Sequence, residues 1–321
     1  MKLSIVATLY QSAQYLEEFC RRVASSAHQL VGDDYEIVLV NDGSPDNSLE
    51  LAVRLCESDP HVVVVDLSRN FGHHKAMMTG LSHSKGERVF LIDSDLEEEP
   101  EWLNKFAAQM VGSRCDVVYG VQERRKGGFF ERHTGDWFYK AFRLLSGVDL
   151  PQNLTTARLM SRRYVNALLL HGEREVVIAG LWQLTGFEQE QCIVAKLSHS
   201  KTTYTFSKKM AALVNSVTSF SSAPLVLIFY IGIAIFAFAS CCAAYLVVNW
   251  LFFAKPLSGW TSVMASIWLL GGLIVSFIGI IGIYLSKVFS ESKQRPYTIV
   301  RSVHGGRSDS TMSAANRVET P

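Results

Sequence analysis

Two long stretches without a charged residue constrain this chain more than any other feature. They run from Pro224 to Phe253 and from Pro256 to Ser286. A helix needs about 20 apolar residues to cross the hydrocarbon core of a bilayer. A helix that is apolar on every face also has no side that suits water. We therefore predict a hairpin of two transmembrane helices within residues 223–290, in preference to a helical hairpin buried in a soluble protein.

Basic residues around the hairpin predict its orientation. Between the two stretches there is one cationic residue, Lys255. The flanks carry more, with Lys201, Lys208 and Lys209 before the first stretch and Lys287, Lys293, Arg295, Arg301 and Arg307 after the second. Lysine and arginine near a span stay on the cytoplasmic side of the membrane. Both termini are therefore predicted to face the cytoplasm.

The remaining sequence divides at the hairpin. Residues 1–205 form the predicted N-terminal domain, and within it residues 1–120 alternate β-rich runs such as LSIVATL and YEIVLVND with amphipathic segments such as AQYLEEFCRRVASSAHQL, while the rest is less regular. This alternation predicts an α/β domain with a mostly parallel sheet flanked by helices, which binds ligands at the carboxyl ends of its strands. Residues 206–222 place apolar side chains on one helical face, which favours an interfacial amphipathic helix over an ordinary packed one. Residues 291–321 are polar and predict a largely disordered cytoplasmic tail.

Charge and cysteine content exclude some partners and compartments. The formal net charge is +1 over 321 residues, so the charge gives no reason to expect a nucleic-acid partner. The six cysteines lack the spacing of a metal site or a disulfide framework. We expect free thiols in a reducing compartment.

Acidic residues follow a predicted strand directly in the segment VFLIDSDLEEEP, residues 89–100. Asp93 and Asp95 form a D-x-D at the strand end, where two carboxylates can share a hard divalent cation that also holds a diphosphate. The alternative is that they are solvated and cap the next helix. Residues Glu97 to Glu99 precede that helix, whose positive N-terminal end gives them a structural reason to be acidic. Asp42 ends another strand, where it is either a turn residue or a ligand for a base or ribose.

The order and spacing of six segments resemble those of the family 2 glycosyltransferases with a GT-A fold. The segments are SIVATLY, EIVLVNDGSPDNS, LSRNFGHHKAMMTGL, LIDSDLEEEPE, DWFY and ARLMSR. More narrowly, the chain is similar to the polyprenyl-phosphate glycosyltransferases, such as the dolichol-phosphate mannose synthases, the bactoprenol glucosyltransferases and the undecaprenyl-phosphate aminoarabinose transferase. The resemblance implies a GT-A nucleotide-sugar-binding domain, followed by the interfacial helix and two transmembrane helices.

The resemblance also implies an activity and a location. A sugar would pass, with inversion, from a nucleotide-sugar donor, expected to be UDP-linked, to polyprenyl (undecaprenyl) phosphate. The product would serve the synthesis or modification of cell-surface glycans such as the lipopolysaccharide O antigen. The enzyme would be a multi-pass protein of the bacterial inner membrane.

Site residues carry over from the resemblance position by position. Thr8, Leu9 and Tyr10 would line the nucleotide pocket, and Asp42 would bind the base. Asp93 and Ser94 would contact the donor, and Asp95 with Asp93 would hold Mg²⁺ or Mn²⁺. The diphosphate or the lipid phosphate would meet four basic residues, Arg124, Arg125, Arg132 and Arg158. Of these, Arg132 would act with Asp93 and Asp95 in catalysis.

One departure from the family pattern keeps other functions open. The usual G-D-F-R-L is here Thr155-Thr156-Ala157-Arg158-Leu159, and Thr156 cannot act as a carboxylate. The alternatives are transfer to another membrane acceptor, such as a lipid-linked saccharide, and a non-catalytic membrane scaffold. His73 and His74 are interpreted as a helix start rather than a metal site. Small residues in the second span (Gly272, Ser276, Gly279) would permit self-association.

Overall fold

Eight strands form one mixed sheet in the computed structural model, which describes residues 1–122, 153–173, 178–196, 223–253 and 259–305. In chain order the strands are β1 (Leu3–Leu9), β2 (Tyr35–Asn41), β3 (Val62–Leu67), β4 (Arg88–Leu91), β5 (Val117–Gln122), β6 (Leu154–Ser161), β7 (Gln189–Val194) and β8 (Val300–Gly305). Their order across the sheet is β7-β5-β6-β4-β1-β2-β3-β8. The sheet belongs to a unit of residues 1–132, 150–203 and 296–321.

Strand direction divides the sheet into a parallel centre and mixed flanks. β1 pairs in parallel with both β2 and β4, and β2 pairs in parallel with β3. β6 runs antiparallel to β4 and β5, and β8 runs antiparallel to β3. Every residue of β1 and β2 is buried, which explains their nearly continuous apolar sequences. The carboxyl ends of the parallel strands therefore lie at one edge, as the sequence predicts.

Among the described residues of this unit, six helices accompany the strands. They are α1 (Ala13–Val31), α2 (Ser48–Ser58), α3 (His73–His83), α4 (Trp102–Ser113), α5 (Arg162–Leu169) and α6 (Ile178–Leu184). α1 shows how they pack, because Leu16, Phe19 and Val23 recur at helical spacing and are buried in the core. The predicted α/β domain with flanking helices is thus confirmed.

The C-terminal segment corrects the predicted domain boundaries. Residues 300–305 form β8 on the outer side of β3, so the prediction of a largely disordered tail from residue 291 is wrong for this stretch. The physical reason is an unpaired edge: β3 would otherwise expose its backbone hydrogen-bonding groups. Arg301 adds an ion pair of 3.2 Å to the buried Asp66 of β3. The α/β domain therefore includes a segment that follows the apolar hairpin.

A second unit spans residues 133–149 and 204–295, and its described residues form two long helices. They are α7 (Ala223–Phe253) and α8 (Trp260–Ser292). Within the described residues, the segment Leu269–Ser292 of α8 is long and apolar enough to cross a membrane, and Pro224–Ile235 of α7 is a shorter apolar helix. Both helices of the predicted hairpin are present, and the crossing of both stays a prediction. The predicted interfacial helix, residues 206–222, lies outside the described residues.

Candidate active site

The ends of the central parallel strands bring three predicted site residues to one edge of the sheet. Leu9 at the end of β1 pairs with Asn41 of β2, so Asp42 follows at the level of the β1 end. β4 ends at Leu91, which pairs with Val6, and Asp93 comes two residues later. Parallel register thus aligns Thr8, Asp42 and Asp93 although up to 85 positions separate them in sequence.

The D-x-D loop is held in place by the residue between the two acids. Ser94 is buried, and its hydroxyl donates to the carbonyl of Thr8 at 2.8 Å and lies 2.9 Å from Ser12 Oγ. Leu96 adopts a left-handed φ of 59°, and the N–H of Glu97 donates to Asp95 Oδ1 at 3.0 Å. Such a strained non-glycine residue is typical of functional loops. The structure thus gives Ser94 a supporting role in the loop, and its contact with the donor stays a prediction.

Asp93 is surrounded by two residues that are distant in sequence. Thr156 Oγ1 donates to Asp93 Oδ2 at 2.8 Å. His73 Nε2 lies 3.3 Å from Asp93 Oδ1, which accepts no well-aligned hydrogen bond, and His73 Nδ1 lies 3.0 Å from Thr8 Oγ1. Burial opposes charge on the aspartate, yet His73 and Thr156 outweigh it and lower the pKa of Asp93. Burial likewise opposes charge on His73, and the neighbouring carboxylate raises the pKa of that imidazole.

His73 is therefore a site residue that the sequence interpretation missed. Its place at the first position of α3 agrees with the predicted helix start, but the side chain also reaches Asp93. The available signal was its position in the segment LSRNFGHHKAMMTGL, which follows a strand of the same parallel sheet.

Asp42 holds the loop that leads to His73. Its two carboxylate oxygens accept the backbone N–H groups of Phe71 at 2.7 Å and Gly72 at 3.0 Å. Burial raises the pKa of Asp42, and these two donors act in the opposite direction. The neighbouring Gly43 has a φ of 61°, and a Cβ there would lie 2.5 Å from Asn70 N. Asp42 thus fixes loop geometry, and contact with a nucleotide base stays a prediction.

Glu98 corrects the interpretation of the acidic segment. It is completely buried, and its Oε1 accepts the backbone N–H of Thr156 at 2.8 Å. α4 begins at Trp102, so the helix that follows does not explain Glu98. Burial and then the charge of Asp93 raise the pKa of Glu98 to about 7. The expectation that the next helix explains this acidic residue is wrong for Glu98, because its side chain accepts a hydrogen bond from the backbone of β6 at Thr156.

Lys196 supplies a positive charge beside the acids. Its Nζ lies 3.3 Å from Glu97 Oε2 and 3.7 Å from Glu98 Oε1. Burial opposes its charge, but the surrounding carboxylates raise the pKa of Lys196. The sequence gives no local signal for this contact, because Lys196 follows β7 and lies about a hundred residues from the acids.

Two predicted site residues lie in the interior instead. Leu9 is fully buried, and Arg158 is 1% exposed with its guanidinium carbon 2.9 Å from the centroid of the Trp182 ring. Burial lowers the pKa of Arg158 to about 9. β6 lies between β4 and β5, so its inward side chains pack away from solvent. Burial gives neither side chain an open surface for a ligand in the described residues, and the roles of Leu9 in the nucleotide pocket and of Arg158 in phosphate binding stay predictions.

Of the other predicted residues, one is exposed and three lie outside the described part of the chain. Tyr10 is 50% exposed and is accessible to a ligand. Arg124, Arg125 and Arg132 lie outside the described residues. Their roles in phosphate binding and catalysis stay predictions.

The D-x-D carboxylates fit a divalent cation in part. Asp93 Oδ1 is a buried oxygen without a hydrogen bond, and burial raises the pKa of Asp95, so a cation near them would relieve both costs. Hard cations such as Mg²⁺ and Mn²⁺ prefer oxygen ligands of this type. Within the described part of the chain, no group of three or more histidine, cysteine or acidic side chains is arranged to hold a metal. The protein would therefore supply two carboxylates, and the remaining ligands would come from water or a substrate.

Comparison with known proteins gives the family. Residues 4–169, just over half of the chain, match the family described as Glycosyl transferase family 2. The chain belongs to this family. Its enzyme class is therefore glycosyltransferase, and the mixed sheet with flanking helices is the α/β GT-A fold that the resemblance implies.

Relatives of this family 2 glycosyltransferase cover nearly its whole length. A protein of Mycobacterium tuberculosis named "Putative glycosyltransferases" is 51% identical over 320 residues, which cover 100% of this chain and 93% of the relative. The SfII prophage-derived bactoprenol glucosyl transferase of Shigella flexneri is 30% identical, covering 95% of this chain and 99% of the relative. A solved structure, the mannosyltransferase of Pyrobaculum calidifontis in complex with GDP-Man and Mn²⁺, is 14% identical with a TM-score of 0.49, covering 91% of this chain and 85% of that chain.

Proposed function

We propose that this glycosyltransferase moves a sugar from a nucleotide-sugar donor, UDP-linked, to a polyprenyl phosphate at the cytoplasmic face of the bacterial inner membrane. The supporting observation is that one chain combines a D-x-D loop, fixed by Ser94 and Thr156, with an apolar helix of membrane-spanning length. A relative that matches along 99% of its own length is named a bactoprenol glucosyl transferase. The product would be a lipid-linked sugar for cell-surface glycans such as the lipopolysaccharide O antigen.

The residues around Asp93 would act by positioning charge. A divalent cation, held by Asp93 and Asp95 when bound, would offset the charge that develops on the departing nucleoside diphosphate. Thr156 and His73 orient Asp93 from two sides, so its carboxylate is set before the donor arrives. Asp42 fixes the loop that carries His73. Because these contacts already hold the Asp93 carboxylate and the His73 loop, these groups would need to move little when the sugar is transferred.

The acceptor explains why Thr156 is compatible with catalysis. A phosphate monoester is already anionic near neutral pH, so it can attack the anomeric carbon without a strong enzymatic base. The new bond forms between a phosphate oxygen and the anomeric carbon, while the bond from that carbon to the diphosphate oxygen breaks on the opposite face. The configuration therefore inverts. A carboxylate at position 156 is not needed to remove a proton.

The membrane arrangement follows from the apolar helices. α8 would cross the membrane through Leu269–Ser292, α7 would cross it as the second span, and residues 206–222 would lie in the headgroup layer. Both termini would be cytoplasmic, since the basic residues flank the hairpin on its outer sides. Self-association through the small residues of α8 stays a prediction.

Two other functions make different predictions. Transfer to another membrane acceptor, such as a lipid-linked saccharide, would use the same donor site but resist competition by short-chain isoprenyl phosphates. A non-catalytic scaffold would account for Thr156, but it would leave the organised contacts of Asp93 without a use. Catalysis on a polyprenyl phosphate accounts for both features.

A donor screen tests the proposal. The full-length protein, purified in detergent, is incubated with undecaprenyl phosphate, Mg²⁺ or Mn²⁺ and a series of radiolabelled nucleotide sugars. We expect label in the organic phase with one donor, and its loss in Asp95→Asn, which keeps the size of the side chain but removes its charge. A folded protein that binds a nucleotide but gives no lipid-linked product with any common donor would contradict the proposal.

A further inference from the structure

Lys196 places a positive charge beside the acidic loop, residues 93–98. Lys196 follows β7, an edge strand that is separated in the sheet by β5 and β6 from β4, the strand that the acids follow. Its side chain is 22% exposed, and the ammonium pairs with Glu97 at 3.3 Å and with the fully buried Glu98 at 3.7 Å. Its charge also acts on Asp93 and Asp95. Lys196 thus interacts with four carboxylates of the loop, those of Asp93, Asp95, Glu97 and Glu98.

Charge balance explains what this lysine does before a substrate binds. Four carboxylates within six positions, those of Asp93, Asp95, Glu97 and Glu98, are partly or fully buried and repel one another. His73 faces Asp93, and Lys196 faces Glu97 and Glu98, so protein cations already neutralise much of the acidic charge. A free divalent cation would have to compete with both. A cation that arrives with a diphosphate adds almost no net charge and meets no such opposition.

We propose that Lys196 is a positioning residue that restrains Glu97 and Glu98, so that the pocket retains a divalent cation only together with the donor's diphosphate. Asp93 and Asp95 then remain the two protein ligands of the divalent cation. Glu97 and Glu98 stay paired with Lys196 and do not bind a free divalent cation. The proposal deepens the proposed function and rests on it only for the identity of the donor, because the restraint itself is a property of the protein.

The test measures cation binding without any sugar transfer. Mn²⁺ is titrated into the full-length protein in detergent, with free Mn²⁺ followed by electron paramagnetic resonance, in the absence and presence of UDP. For Lys196→Met we expect free Mn²⁺ to bind about tenfold more tightly than in the wild type, because one opposing charge is removed from a partly buried site. We also expect the gain in Mn²⁺ affinity that UDP produces to shrink.

Two variants control for charge and for shape. Lys196→Arg keeps the charge and should behave like the wild type. Lys105→Met removes a lysine that also contacts β7, but through a hydrogen bond to the carbonyl of Ile193 at 2.6 Å. It should leave the affinity for free Mn²⁺ unchanged, which would separate a local effect from a change in the net charge of the protein.

A double variant keeps the test decisive if Lys196→Met is less stable. Glu97→Gln should have little effect alone, since Lys196 already neutralises Glu97, but it should reverse the gain in Mn²⁺ affinity in the Lys196→Met background. An unchanged or weaker affinity for free Mn²⁺ in Lys196→Met, with an intact unfolding transition, would overturn the proposal. Because no acceptor lipid is used, this failure is distinct from a failure to find a lipid-linked product.

Discussion

Asp93 keeps a charge in a partly buried position because each of its oxygens faces a different partner. Oδ2 accepts a hydrogen bond from Thr156, and Oδ1 faces the imidazole of His73. A hydroxyl can donate to a carboxylate without competing for a cation, whereas a second carboxylate would repel it. At residue scale, the threonine in place of the usual aspartate therefore supports the D-x-D instead of merely lacking a function.

Removal of the Thr156 hydroxyl should weaken catalysis. Thr156→Val keeps the shape and the backbone N–H that Glu98 accepts, but it deletes the donor to Asp93. A hydrogen bond to a charged group is worth about 1.5–3 kcal/mol, so we expect kcat/KM for sugar transfer to fall about tenfold or more. Thr156→Ser retains the hydroxyl and serves as the control. Equal rates for the valine variant and the wild type would show that this contact does not position Asp93.

The buried Glu98 should make stability depend on pH. Its pKa is raised from 4.5 in the unfolded chain to about 7 in the folded protein, so the native state holds the proton more tightly. The wild type should therefore lose stability as the pH rises from about 4.5 to about 7, by on the order of 3 kcal/mol, and then level off. Glu98→Gln lacks this titration. Unfolding curves of the two full-length proteins across this range measure the difference.

The comparison with Glu98→Gln isolates one group from its neighbours. The raised pKa of His73 also makes stability fall as the pH rises. His73 is present in both proteins, so the part of this effect that comes from Asp93 and Asp42 cancels, and only the part that comes from the charge of Glu98 is lost with the variant. A difference in unfolding free energy that does not change between pH 5 and pH 8 would contradict a Glu98 carboxyl that is protonated in the folded state at acid pH.

At the scale of elements, β8 shows how a distant segment completes the sheet. The strand pairs with β3, and its residues alternate between half-buried and exposed, as expected for an edge strand with one packed face. Ser68 donates its N–H to the carbonyl of Ile299 at 2.9 Å, which extends the pairing beyond β8. The parallel strands that carry the site thus depend on a segment that follows both long helices in sequence.

Loss of the ion pair between β8 and β3 should destabilise the domain. Asp66 is buried and accepts a hydrogen bond from Asn41 at 2.8 Å, while Arg301 is its cationic partner. Arg301→Ala leaves a buried carboxylate without this partner, but the arginine is largely exposed, so we expect a cost of about 1–2 kcal/mol. Thermal unfolding should show a midpoint roughly 2–6 °C lower.

The control for this prediction is another exposed arginine. Arg54 contacts only a carbonyl of its own helix among its described hydrogen bonds, Glu50 O at 3.4 Å, and Arg54→Ala should change the midpoint little. Equal midpoints for Arg301→Ala and the wild type would indicate that β8 is held by its backbone pairing alone.

At the scale of the whole molecule, the proposed function implies that the chain crosses the membrane twice. α7 and α8 are 31 and 33 residues long, enough for two crossings of a hydrocarbon core about 30 Å thick. Two crossings would return the chain to the side from which it came. That return is consistent with β8 adding to a sheet whose other strands precede the hairpin.

Labelling of introduced cysteines tests the topology. In a variant whose native cysteines are replaced by serine, Ser258→Cys should react with a membrane-impermeant maleimide in intact spheroplasts. Ser310→Cys should react only after permeabilisation. A single crossing by α8 would instead protect position 258 and expose position 310, and it would contradict the hairpin.

The sequence by itself determined the α/β class, the strand-end acids, the apolar helices and the family. Each of these features depends on local periodicity or on a contiguous motif. Only the tertiary structure decided which side chains meet. In the folded protein, His73, Thr156 and Lys196 contact the acidic loop. Arg158 and Leu9 are buried in the interior, and β8 pairs with the edge of the sheet. The physical reason is that these contacts depend on strand order and register. Those are set by the packing of the whole sheet, and no short segment encodes them.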